Sequence, residues 1–100
     1  MLLQLLTVSR KTPTDGKVEI TLETARRLSP YGERLRINVE EAHSAGTVSS
    51  ALCSCGKGNG DEHEHHFLAS ELFRGLTPNE TIVLELVADG EITVARPHNL

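Results

Sequence analysis

The chain has 100 residues, a formal net charge of −4 and 38% apolar residues. That is long enough for one domain with a modest core, and too apolar for a disordered chain. The acidic balance excludes a surface that attracts polyanions everywhere, so contact with nucleic acid would need a local basic patch. Two cysteines exclude a secreted disulfide framework and point to a reducing, cytoplasmic setting.

Taken in chain order, "MLLQLL" is apolar but short, with Arg10 and Lys11 soon after it, and is read as neither a signal peptide nor a membrane span. "LQLLTVSRK" predicts a strand. "TPTDG" brings Pro13, Asp15 and Gly16 together as a turn signal. "KVEITL" alternates Val18, Ile20 and Leu22 with Lys17, Glu19 and Thr21, the pattern of a half-buried strand. The first two strands are therefore expected to form a hairpin. In "TLETARRL", Thr21 can cap a short helix, with Glu23 in its first turn and Arg26 and Arg27 near its end, where they suit the dipole. Pro30 and Gly32 in "SPYG" stop it. "RLRINVE" alternates again, with Leu35, Ile37 and Val39 inward and Arg34, Arg36 and Asn38 outward. Surface pairing with glutamates is the expected role of the two arginines. "EEAHSAG" is expected as a turn with a solvated His43, and "TVSSALCSC" as a strand. Ser70 reads as the N-cap of "SELFRGL", with Leu72, Phe73 and Leu76 as core and Arg74 serving the helix end. "TIVLELV", "ADG" and "EITVARP" read as strand, tight turn and last strand. The expected total is about seven strands and two short helices in a mainly β domain over 1–100, with few aromatics in the core.

"ETARRLSP" can be laid over "ELFRGLTP". Glu23 then falls on Glu71, Arg26 on Arg74, Leu28 on Leu76 and Pro30 on Pro78. Each octet is flanked by strands. A strand–helix–strand unit cannot close its own core, but two related by a pseudo-twofold axis can bury one shared interior. The half-units would span about 1–45 and 46–100.

"VSRKTPTDGKVEITLETARRL" and "HHFLASELFRGLTPNETIVLELVADGEITV" resemble the AbrB-like swapped-hairpin half-units. Two such units in one chain resemble the DNA-binding pseudobarrel superfamily, which includes plant transcription-factor domains and the effector domains of certain restriction endonucleases. The resemblance implies a pseudobarrel that grips double-stranded DNA with two arms. The first maps onto Arg10, Lys11, Thr12, Thr14 and Lys17, residue types that fork onto base edges or hold phosphates. The second maps onto the loop around Ser54, Lys57 and Asn59. Asp61, Glu62 and Glu64 make that loop locally acidic, a departure from the family pattern, because carboxylates beside phosphates cost energy.

"LCSCGKGNGDEHEHH" carries a second chemistry. If "ALCSC" and "HEHHF" are paired strands, residues two apart share a face. Cys53, Cys55, His63 and His65 then form a candidate tetrahedral zinc set, with His66 on the opposite face. The spacing is not that of a standard zinc finger, and a glycine-rich turn with solvated histidines is the plain alternative.

Three functions follow. The first is a non-enzymatic DNA-binding or recognition module using the first hairpin. The second is a zinc-stabilised protein-interaction module without DNA binding. The third is a small cupin-like metal enzyme, suggested by "HEH" and Glu71 but off the expected spacing and without a second histidine motif around His98. No nucleophile elbow or phosphate loop is present in the sequence. An antitoxin is a weaker reading, since a toxin-binding tail is expected after Arg96 and the sequence offers four residues.

Overall fold

The computed structural model describes residues 1–53 and 63–97. The protein is mainly β, with two sheets and short helical segments between them. Strands β1 (Leu2–Thr7), β3 (Arg36–Val39), β4 (Ala42–Ala45), β7 (Thr81–Ala88) and β8 (Glu91–Ala95) make one sheet in the order β1-β7-β8-β3-β4. Strands β2 (Lys17–Ile20), β5 (Thr47–Cys53) and β6 (His63–Ala69) make the other in the order β2-β6-β5. The sheets do not close into a barrel. The described residues contain eight strands, one more than the sequence suggests.

The extra strand is β4. Glu40 and Glu41 turn the chain, and "AHSA" then pairs with β3 from Val39↔Ala42 to Arg36↔Ala45. It carries no apolar alternation because it is an edge strand held by backbone bonds rather than by burial. Glu40 takes the turn with φ +56°, a left-handed conformation usually left to glycine or asparagine.

The expected first hairpin does not form. β1 pairs with β7, through Leu5↔Val83 and Thr7↔Thr81, while β2 pairs with β6, through Val18↔Leu68 and Ile20↔His66. Backbone bonds hold β1 to β7 beyond the strand ends, from the Val8 N–H to the Glu80 carbonyl at 2.8 Å and from the Leu86 N–H to the Met1 carbonyl at 2.8 Å. The intervening stretch is not a tight turn but a one-turn helix, α1 (Thr12–Asp15), which carries the chain from one sheet to the other. Gly16 ends it at φ +68°, and its N–H bonds the Thr12 carbonyl at 2.7 Å.

The helix α2 (Leu22–Leu28) starts where Thr21 predicts. The Thr24 N–H donates to Thr21 Oγ1 at 3.1 Å. A 3₁₀ segment, Ser29–Arg34, continues it past Pro30. In the second octet Ser70 Oγ accepts from the Leu72 N–H at 3.2 Å, and Glu71–Gly75 is a 3₁₀ turn rather than an α-helix. Both octets run from a strand of the three-stranded sheet to a strand of the five-stranded one.

One core joins these parts. Val18, Ile20 and Leu68 face it from the small sheet, and Ile37, Ile82, Leu84, Ile92 and Val94 from the large one. Ala25, Leu28, Phe73 and Leu76 fill it from the helical segments. Leu72, expected in the core, is half-buried. No helix among the described residues is long and apolar enough to cross a membrane.

Candidate functional site

Alternation on the small sheet sorts its residues onto two faces. Val18, Ile20 and Leu68 are buried on one. Lys17, Glu19, His65 and Phe67 hold the other, because Lys17↔Ala69 and Glu19↔Phe67 are register pairs and His65 lies two positions along β6. On that outer face Lys17 Nζ sits 4.3 Å from the centre of the Phe67 ring, a cation–π contact. His65 Nδ1 lies 2.7 Å from Glu19 Oε2. The β1–β2 connection overhangs this face. Together they form a cleft of about 370 Å³ lined by Ser9, Lys11, Asp15, Lys17, Glu19, His65 and Phe67.

The connection itself is basic at its start. Arg10 and Lys11 are exposed and make no ion pair with any described residue. Thr14 is exposed. Arg74, from the second octet, donates through Nη1 to the Thr14 carbonyl at 2.5 Å and so fixes α1 against the 3₁₀ turn. Arg74 thus has a tertiary role beyond serving a helix end.

Thr12 departs from its expected role. It is 1% exposed, and its hydroxyl donates to the Lys17 carbonyl at 2.9 Å. That bond ties α1 to the start of β2, and no side-chain surface is left for a partner. Of the first-arm set, the structure therefore presents Arg10, Lys11, Thr14 and, partly, Lys17 at the surface. Ser54, Lys57 and Asn59 lie outside the described residues, as do Cys55 and His98.

The chain matches no family model, no curated protein and no solved structure.

The expected pairing of "ALCSC" with "HEHHF" does occur. β5 and β6 run antiparallel, with Cys53 opposite His63 and Ala51 opposite His65. Cys53 and His63 are thus direct partners, and His65 sits two positions further along. His66 belongs to the other face, opposite Ile20 and Ser50, beside a groove lined by Leu22, Ala25, Arg26 and Val48. Among the residues whose side chains are described, no three metal-ligating groups converge. Glu71, named for the cupin-like reading, lines a different cleft from His65, with Gly16, Thr47, Ser70 and Arg74.

Other arginines have local roles. Arg27 pairs with Glu23 one turn before it at 3.2 Å. Arg34 caps the carbonyls of Tyr31 and Pro30. Arg36 is exposed and makes no ion pair among the described residues, so the expected pairing with glutamates is absent there.

Glu19, Phe67 and Arg74 were not singled out as site residues in the sequence. The period-two pattern could have grouped the first two, since Lys17 and Glu19 share parity, as do His65 and Phe67. What it could not show is that β2 and β6 are neighbours.

Proposed function

We propose that this chain is a non-enzymatic DNA-binding or recognition module that lays the connection between β1 and β2 against double-stranded DNA. The observation that carries the reading is the pair of exposed, unneutralised cations Arg10 and Lys11 on a chain whose net charge is −4. A solvated carboxylate could have neutralised either, and none among the described residues does. Thr14 and Lys17 extend the patch as hydrogen-bond donors to phosphate. Asp15 and Glu19 beside them limit how far a polyanion can follow the outer face, so the contact is a short one. Ser54, Lys57 and Asn59 enter the proposal as a second arm on the strength of the sequence alone. The finer architecture belongs to the same proposal. Two half-units, each an octet between strands of the two sheets, share one core in an open pseudobarrel.

A titration of the full chain against random duplex DNA at several salt concentrations tests this. With about three phosphates contacted, log K should fall with log salt at a slope of about −2.7. Arg10→Ala with Lys11→Ala should weaken binding and reduce that slope by about two. Absence of binding at about 50 mM salt, or a slope that the double variant leaves unchanged, would overturn the reading. The zinc-stabilised protein-interaction module would then be the reading to pursue.

A further inference from the structure

We propose that β1 pairs antiparallel with β1 of a second copy of this chain, centred on Leu5, and so joins two five-stranded sheets into one. β1 is an edge strand, and one side of its backbone has no ladder partner among the described strands. Such an edge is a template for another strand unless charge, shortness or a covering element blocks it. The other described edges are blocked. β2 and β4 are four residues long, and β2 carries Lys17 and Glu19. β5 offers Thr47, Ser49 and Ser50 and lies against the 3₁₀ segment Ser29–Arg34. β1 is six residues long, four of them leucine, and residues 1–9 hold no ionisable side chain.

The side chains point to the same contact. Leu5 is 63% exposed, while Gln4 and Leu6 on either side of it lie opposite the buried Leu84 and Ile82. Leu5 is therefore on the outer face of the sheet. Leu2 is exposed opposite Glu85, and the Met1 carbonyl accepts from the Leu86 N–H, which brings the exposed Met1 and Val87 to the same edge. Four of the six large apolar side chains exposed among the described residues thus gather here. A second copy is the occupant that fits. Two chains of net charge −4 repel over most of their surfaces, but at this edge neither brings a charged side chain. A twofold contact must be complementary to itself. Opposed residues share a face, so the axis passes between one residue and its own copy. Leu5 is the outward apolar residue of the regular stretch from Gln4 to Thr7, and the register shift between Leu2 and Gln4 bars a centre nearer the start. Centring there sets Leu5 against Leu5 and Gln4 against Leu6 of the second copy. The Met1 amino group, held by the Leu86 carbonyl at 2.8 Å, falls at opposite ends of the contact in the two copies. One strand from each copy is a small interface, so the dimer is weak and depends on concentration.

The test uses the full chain, kept reduced. Sedimentation velocity over a roughly hundredfold range of concentration should show a monomer–dimer equilibrium that added salt leaves unchanged or tightens. Leu5→Lys sets two like charges opposite each other and should weaken dimerisation by about tenfold or more. Leu52→Lys, at an exposed leucine on β5, should dimerise like the parent chain. Circular dichroism and urea unfolding on each variant separate loss of the contact from loss of fold. Leu5→Cys, in a chain also carrying Cys53→Ser and Cys55→Ser, should form a covalent dimer on mild oxidation, because opposed Cβ atoms lie about 4.5–5.5 Å apart. Thr7→Cys in the same background should not, since the two copies of position 7 are roughly 13 Å apart in this register. A monomer at every concentration, a dimer that Leu5→Lys leaves intact or that salt dissociates, or crosslinking through Thr7→Cys instead of Leu5→Cys would overturn the proposal. The contact uses no charged side chain, so its failure leaves the DNA reading as it stands.

Discussion

Single residues set much of the local geometry. Thr12 looks like a surface threonine in a polar turn, yet its hydroxyl satisfies a backbone carbonyl in a position closed to solvent. Thr12→Val keeps the shape and removes the donor, so it should cost about 1–3 kcal/mol in urea unfolding. Thr14→Val, two residues on and exposed, should change stability by less than about 0.5 kcal/mol. Equal effects from the two would contradict the buried role. Arg96 is a second case. It pairs with Glu40 at 2.6 Å and stands 2.9 Å from Glu80, although its Nε–H is not aimed well enough at either to count as a hydrogen bond. The charge pairing survives imperfect alignment because Coulomb attraction is less directional than hydrogen bonding. All three side chains keep some solvent contact, so the gain is small.

At the scale of elements, the chain crosses from the five-stranded sheet to the three-stranded one at two places that composition does not mark alike. Between β1 and β2 it uses a helical turn closed by a left-handed glycine. Between β4 and β5 it uses Gly46, for a different reason. A Cβ there would lie 2.7 Å from Ile37 Cγ1 and 2.8 Å from Ile37 Cδ1, and Ile37 is fully buried. Gly46→Ala should therefore destabilise the fold by about 1–3 kcal/mol through overpacking, read as a lower urea midpoint with unchanged slope. Alternation and capping made β2, α2, β3 and β5 to β8 legible, with both caps at the residues expected. β4 was not legible, since an edge strand bonded through its backbone needs no apolar pattern. Nor was the partner of β1, because strand pairing depends on what lies across the sheet, while a turn signal reports only that the chain changes direction.

Across the whole molecule, one core serves both sheets, with Phe73 its largest fully buried side chain. Phe73→Ala should cost about 3–5 kcal/mol, a large share of the stability of a domain this size. Because the core is shared, hydrogen exchange should speed up in β2 and β6 and in β7 and β8 together. Faster exchange confined to one sheet would show two independent units. Arg10→Ala with Lys11→Ala touches none of this packing and should melt like the parent chain, so any loss of DNA binding in that variant belongs to charge.

The sequence by itself determined the local choices: which stretches are extended, where the helices start, and that the interior is mostly aliphatic. These depend on near neighbours and on periodicity, and both are written in a single strand of text. Only the tertiary structure decided that β1 and β2 belong to different sheets, that Thr12 is buried, and that Glu19 stands behind His65. Those facts arise from residues far apart in the chain competing for the same backbone partners and the same space, and no local pattern records the winner.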